Sequence, residues 1–248
     1  MTDDNPDKKT GPFAAMRRHY HETKPDHRPV PVVLPLVAIS VLALAAYFLL
    51  DAWAASLYDR WPDWVYRPAR FLTDLGKSAW IIWGAIAIIL GGIVLRGLSR
   101  EERRRRLGAQ AIGMASYVLA SVAISGLIAN LFKRAIGRPR PELSGEHGLF
   151  SVNPFMHDSV YESFPSGHAT TDGAFWAALA LLYPPLRWPF LVFGLYLALT
   201  RVFVGAHFPS DVTVGFGWGV WFAFFMAVIF ARHGIVFSHK DGKLAKLI

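Results

Sequence analysis

The 248-residue sequence contains no cysteine, which excludes disulfides, thiolate nucleophiles and cysteine-based zinc sites and leaves the redox compartment open. Any chemistry must come from His, Lys, Arg, carboxylates or hydroxyls. Charge is sparse as well: Asp, Glu, Lys and Arg make up 18% of the chain, below the roughly 25% of soluble domains. Apolar residues reach 53%, so the missing charge points to a protein of the bilayer. Internal repeats and low-complexity segments are also lacking. The net charge of +8 does not indicate a nucleic-acid partner, because the basic residues cluster between apolar runs instead of covering one soluble face.

What is present is a series of apolar segments. A helical span needs about 20 mostly apolar residues, and six segments approach that length: 32–50, 79–95, 109–132, 169–183, 190–204 and 212–231. The fourth and fifth are short and must extend into their flanks or be covered by protein. The expected fold is all-α, a polytopic six-transmembrane-helix bundle at residues 31–234, between a cytosolic tail at 1–30 and another at 235–248. The first thirty residues are polar and carry Lys8, Lys9, Arg17, Arg18, Lys24 and Arg28, so the first apolar run is expected to be a retained signal anchor. Phe13 to Tyr20 is a stretch that can lie on the membrane surface.

Arg96, Arg100 and Arg103 to Arg106 sit in the loop between the second and third segments, and excess Arg in a short loop marks the cytoplasmic side. Basic residues also flank the first segment and follow the sixth at Arg232, Lys240, Lys243 and Lys246. Both termini are therefore expected inside, with 51–77, 133–168 and 201–211 on the outer face. In the first outer loop Trp53, Leu57, Trp61 and Val65 recur at helical spacing, which predicts an interfacial helix that anchors the protein or admits a lipid.

Three polar clusters fall on that outer face. The first closes the third segment with Lys133, Arg134, Arg138, Arg140 and Pro141. Cations at a helix C-terminus suit its dipole, yet this face should be poor in positive charge, and Arg matches phosphate oxygens with its planar fork. The second is Pro165-Ser166-Gly167-His168 at the start of the fourth segment. Pro and Ser suit a helix start in any protein, and the free amides there also make an anion site. The third is Arg201, His207 and Asp211, with Pro209 at the start of the sixth segment. Asp211 in the first turn is expected to reach back to one imidazole nitrogen of His207, leaving the other with an exposed lone pair.

Read together, Lys133-x6-Arg140-Pro141, Pro165-Ser166-Gly167-His168 and Arg201-x5-His207-x3-Asp211 resemble the three-part signature of the type 2 phosphatidic acid phosphatase (PAP2) superfamily. The resemblance spans residues 133–211, with one departure: Thr200 stands where the third motif usually has Ser, so a hydroxyl is kept. It implies an integral membrane phosphatase that acts on a lipid substrate without metal or other cofactor. His207 would be the nucleophile, forming a phosphohistidine, and Asp211 would orient it. His168 would be the general acid and then base, while Lys133, Arg140, Ser166, Gly167 and Arg201 would hold the phosphoryl group. Arg134 and Arg138 lie outside this pattern and read as interfacial charge. Asp172, one turn after His168, is either a partner behind it or a helix-packing residue.

Six apolar segments argue against the soluble acid phosphatases and vanadate haloperoxidases of the same superfamily. The basic loops suit a bacterial inner membrane with the active site facing the periplasm. Substrate candidates are the 1-phosphate of lipid A, undecaprenyl diphosphate, phosphatidylglycerophosphate and phosphatidic acid. Headgroup specificity would reside in 51–77 and 142–164, where Glu142, Glu146, His147, His157, Asp158 and Glu162 are available. Two alternatives remain: a lipid-to-lipid phosphotransferase using the same intermediate, and a non-catalytic lipid transporter or scaffold. Free phosphate release separates the first from a hydrolase, and the three intact chemical residues His168, His207 and Asp211 speak against the second. Oligomeric state has no sequence signal.

Overall fold

The computed structural model describes residues 30–149, 151–156, 158–240 and 243–246, together with Arg18 and Tyr20. The surface stretch expected at Phe13 to Tyr20 otherwise lies outside the described residues, as does His157. The chain is mostly helical. Helix α1 runs from Val33 to Ser56 through a π-helical turn at Tyr47–Asp51. It is followed by α2 (Asp63–Leu72), α3 (Ser78–Leu98), α4 (Glu102–Ile136), α5 (Gly167–Leu182), α6 (Arg187–Phe203) and α7 (Pro209–Arg232).

Among the described residues, five helical stretches are long and apolar enough to cross a membrane: Val33–Ser56, Asp63–Leu98, Glu102–Glu146, Pro184–Phe203 and Pro209–Arg232. Large apolar side chains on α1 and α3 point outward, among them Leu34, Phe48, Leu49, Trp83 and Ile88. Apolar surface of that extent suits lipid rather than water. Helix α5, with 16 residues, is the short one, and it is enclosed by α4, α6 and α7 with Ala169, Thr170, Ala174 and Ala178 fully buried. Helix α5 is thus covered by protein on several sides.

The α5–α7 crossing is closest at glycine. A β-carbon on Gly219 would meet the Thr170 carbonyl oxygen, and one on Gly173 would meet that of Phe216. Small residues of this kind let membrane helices approach until their backbones touch. The core beside them is apolar, built from Val118, Val122, Phe222 and Met226 around Tyr117, whose hydroxyl donates to the Ala223 carbonyl at 2.9 Å.

Two expectations are corrected. Trp53, Leu57, Trp61 and Val65 do not share one helix: α1 ends at Ser56, and Leu57 leaves helical geometry before Pro62 starts α2. The stripe is folded into a corner, where Trp61 packs edge-on against Trp53 at 5.7 Å and Phe203 at 5.1 Å. The described residues after 234, expected to form a separate tail, pack against the helices at Val236 and Phe237. Val236 and Phe237 are buried against Tyr117, and Phe237–Lys240 (β1) pairs antiparallel with Lys243–Lys246 (β2), Phe237 opposite Lys246. The fold is therefore helical with one terminal hairpin rather than purely α.

Candidate active site

The site begins where α4 stops. Gly137 adopts φ +65°, and its N–H bonds the Lys133 carbonyl at 3.0 Å, the left-handed cap that ends a helix and turns the chain. A side chain would not fit there, because the Asn153 carbonyl occupies its place. This turn sends the cations of one short run in different directions. Lys133 is buried on the inner side of the last turn, Arg134 is exposed, Arg138 is buried and Arg140 is half-buried. The Arg138 carbonyl accepts from the Ser163 N–H at 3.0 Å, and the Arg140 N–H donates to Val160 at 2.8 Å, so the segment entering α5 is laced to this turn.

At the start of α5 the Phe164–Pro165 peptide is cis. Ser166 caps the helix, its hydroxyl accepting from Ala169 N–H at 3.4 Å. Its own N–H donates to the Asp211 carbonyl at 3.1 Å, so the amides left for an anion begin at Gly167. A β-carbon on Gly167 would lie 3.7 Å from Lys133 Nζ, which places the ammonium directly over the helix start. Lys133, Gly167 and His168 line a cavity of about 370 Å³ that is walled by Asn130, Thr171 and residues 76–79.

Arg201 ends α6 half-buried, with Nη1 donating to Thr73 Oγ1 at 2.8 Å and Nε lacking any partner. Arg140 Nε is likewise buried without a partner. Lys133, Arg140 and Arg201 bear on one another electrostatically, and none forms an ion pair among the described residues. Three cations gathered without an ion-paired carboxylate among the described residues suit an anionic ligand.

The Arg201 carbonyl accepts from the N–H groups of Ala206 and His207, at 3.0 and 3.2 Å, in a turn where Gly205 has φ +70°. That turn folds His207 inward until it is 2% exposed. Its Nδ1 lies 2.7 Å from the Ser163 carbonyl oxygen and 3.8 Å from Asp211 Oδ2. A carbonyl only accepts, so Nδ1 carries the proton and Nε2 the lone pair. Nδ1–H thus donates to a backbone carbonyl in place of the expected Asp211 carboxylate, which adds its charge from just beyond. Burial lowers the His207 pKa to about 4, opposed by the Asp211 carboxylate and reinforced by Lys133 and Arg201. The imidazole is held neutral, the state a nucleophile requires.

Asp211 is the hub of a buried network. Its Oδ2 accepts from the Phe208 N–H at 3.0 Å and the Ser163 hydroxyl at 2.5 Å, and its Oδ1 accepts from Arg138 Nη1 at 2.5 Å. The Ser163 hydroxyl bond fixes the residue whose carbonyl holds His207, so Asp211 also acts through Ser163. Arg138 is not interfacial charge: Nη1 also donates to Ser210 Oγ at 2.8 Å, and Nη2 donates to Asp51 Oδ2 at 2.9 Å. Its guanidinium lies 4.2 Å from the Phe208 ring centroid, within cation–π range. Asp51 bonds the backbone N–H and hydroxyl of Ser210, at 3.0 and 2.5 Å, so two carboxylates occupy the start of α7.

Asp51, Ser163 and Ser210 were not visible as site residues in the sequence. The available signal was a carboxylate closing an apolar run at Asp51, since ionisable groups inside membrane segments are functional by default. Asp172 is buried with neither carboxylate oxygen hydrogen-bonded, close beside Gly76. Of the expected headgroup residues, Glu142, Glu146 and Asp158 are exposed and Glu162 is half-buried, facing Lys133 electrostatically. The side chain of His147 lies outside the described residues.

A histidine with Nδ1 on a backbone carbonyl, a second histidine at a helix start and cations without ion pairs among the described residues come together here, an arrangement whose chemistry suits phosphoryl transfer. The chain belongs to the PAP2 superfamily, whose family model matches residues 114–235. It is 45% identical to a lipid A 1-phosphatase of Rhizobium johnstonii over 71% of its own length and 72% of the relative's. It is 41% identical to a lipid A 1-phosphatase of Rhizobium etli over 81% and 86% of the two chains. An undecaprenyl-diphosphatase of Bacillus subtilis is 34% identical over 52% of this chain and 58% of that relative. The protein is an integral membrane lipid phosphatase, a hydrolase.

Proposed function

We propose that the protein removes the 1-phosphate of lipid A at the periplasmic surface of a bacterial inner membrane. The observation that carries this choice of substrate is the identity of 45% and 41% with two lipid A 1-phosphatases, over most of the chain. In this reading α5 is a sixth span, both termini are cytoplasmic and the basic 96–106 loop anchors that side. Helix α2, with Trp64 and Phe71 exposed and an Asp63–Arg67 ion pair of 2.9 Å, lies in the outer interface.

Lys133, Arg140 and Arg201, with the amides from Gly167 onward, hold the phosphoryl oxygens. His207 Nε2 attacks phosphorus; the N–P bond forms as the P–O bond to the lipid breaks, and His168 gives its proton to the departing oxygen. Water then attacks the phosphohistidine while His168 takes a proton from it, the N–P bond breaks, and phosphate leaves with His207 neutral again. Nδ1–H stays on the Ser163 carbonyl throughout, which keeps Nε2 aimed at phosphorus. The charge developing on the phosphoryl oxygens falls among cations that form no ion pair among the described residues.

The test is inorganic phosphate release by detergent-purified protein from lipid A, undecaprenyl diphosphate, phosphatidylglycerophosphate and phosphatidic acid, with and without EDTA and beside His207→Ala. Release from lipid A, lost in the variant, is the expected result. Preference for undecaprenyl diphosphate would transfer the reading to the other relative's substrate. Phosphate appearing on an acceptor lipid instead of in solution would make the protein a phosphotransferase.

A further inference from the structure

Asp51 stands outside residues 114–235, the stretch matched by the family model. It arrives from α1 across 159 positions in sequence to reach Ser210. The π-helical turn at Tyr47–Asp51 ends on this residue, which is 0% exposed although it closes an otherwise apolar run. Insertions of this kind re-aim side chains and recur at functional sites.

The charge count of the cluster is uneven. Arg138 supplies one positive charge and divides its two Nη atoms between Asp51 and Asp211, at 2.9 and 2.5 Å. All three side chains are 7% exposed or less. Two carboxylates against one guanidinium leave a surplus negative charge out of reach of water, a costly arrangement unless something compensates it. The groups facing His207 are Asp211 on α7, His168 on α5, Arg201 on α6 and Lys133 on α4. Lys133 and Arg201 are the cations that the phosphate neutralises. The group that gains a positive charge during turnover is His207, because phosphorylation at Nε2 with Nδ1–H retained makes the ring a cation, 3.8 Å from Asp211.

We propose that Asp51 is a positioning residue for the nucleophile: with Arg138 it fixes Asp211 and Ser210 at the start of α7 and supplies the surplus negative charge that the His207 cation of the phosphoenzyme neutralises. This rests on His207 being the nucleophile. A merely structural Asp51 would affect stability alone, whereas a charge-supplying one sets the phosphoenzyme step and the titration of His207.

The test is Asp51→Asn, which keeps shape and removes charge, assayed on lipid A in detergent micelles beside His207→Ala. The expected loss in kcat is on the order of 10- to 100-fold, the scale found when the partner behind a functional imidazole is removed. KM is expected to stay unchanged, because Lys133, Arg140 and Arg201 are untouched. Rapid-quench phosphoenzyme should fall with kcat. The acid limb of kcat/KM should move to lower pH, since losing a negative charge makes His207 harder to protonate. Wild-type kcat and an unmoved acid limb in Asp51→Asn, with His207→Ala dead, would overturn this inference alone. Phosphate release by His207→Ala would overturn the parent reading and this one together. If Asp51→Asn does not fold, Asp51→Ser removes the same single charge and leaves Arg138 paired with Asp211: a folded, slow protein whose acid limb has moved to lower pH supports the proposal. A folded protein of wild-type rate, or failure of both variants to fold, makes the cluster a packing device and overturns it.

Discussion

Lys133 and Arg138 lie five positions apart, on either side of Gly137, and live in opposite circumstances. Arg138 is fully spent on protein: two carboxylates, a hydroxyl and an aromatic face use its charge and donors. Lys133, Arg140 and Arg201 meet no carboxylate in an ion pair among the described residues, and two of the three keep a buried nitrogen without a partner. Paired charge builds the frame, and in the proposed reaction the unpaired charge meets the phosphoryl group. The two sets meet at His207, which takes its tautomer from the frame and feels the charges of Lys133 and Arg201.

Changes on the two sides should therefore fail differently. The largest effect belongs to the residue between them. His207→Ala should lose more than about 10³ in kcat, because the covalent route is gone; quantified phosphate release checks this, and retained turnover would break the reading. Lys133→Ala and Arg201→Ala should each lose about 10² to 10³ in kcat. Their thermal midpoints in detergent should hold or rise, since an uncompensated buried cation is removed. Arg138→Ala should do the reverse to stability, costing about 3–5 kcal/mol by stranding Asp51 and Asp211. A midpoint fall for Lys133→Ala as large as that for Arg138→Ala would erase the distinction.

The smallest effect is a pH dependence. The folded His207 pKa of about 4 lies below its ordinary 6.5, so between these values the unfolded chain binds more protons. His207 thus contributes stability that is present above pH 6.5 and is lost as pH falls toward about 4. Thermal midpoints measured across that window should decline on acidification, and the decline should shrink in His207→Asn. The acid limb of kcat/KM in the free enzyme should likewise sit nearer pH 4 than 6.5. A limb near 6.5 would mean that His207 is more open to water than its 2% exposure indicates.

Much of the site was legible because its chemistry is local. Lys133, His168, Arg201, His207 and Asp211 announce themselves by residue type and short spacing, and the helix starts at Gly167 and Pro209 follow from Ser166 and Phe208–Pro209. What was illegible is carried by long-range contact. Ser163 holds His207 from 44 positions away through its backbone carbonyl, which has no sequence signature. Arg138 reaches Asp211 across 73 positions, and nothing in an arginine-rich stretch says which arginine turns inward. The corner at Leu57 to Pro62 was missed for a different reason. Helical periodicity of the tryptophans outweighed the one residue, Pro62, that favours a helix start over a helix interior.

The sequence by itself determined the medium and pointed to the reaction: apolar segments dictate a bilayer, and three polar clusters carry the resemblance to the PAP2 superfamily that implies phosphoryl chemistry. Tertiary structure alone decided which charges are spent and which are free. Ion pairing depends on distances between helices, and these are set by close packing such as that of Gly173 and Gly219, not by spacing along the chain. It also decided the His207 tautomer, because a proton's place on an imidazole is settled by whatever acceptor the fold brings to 2.7 Å.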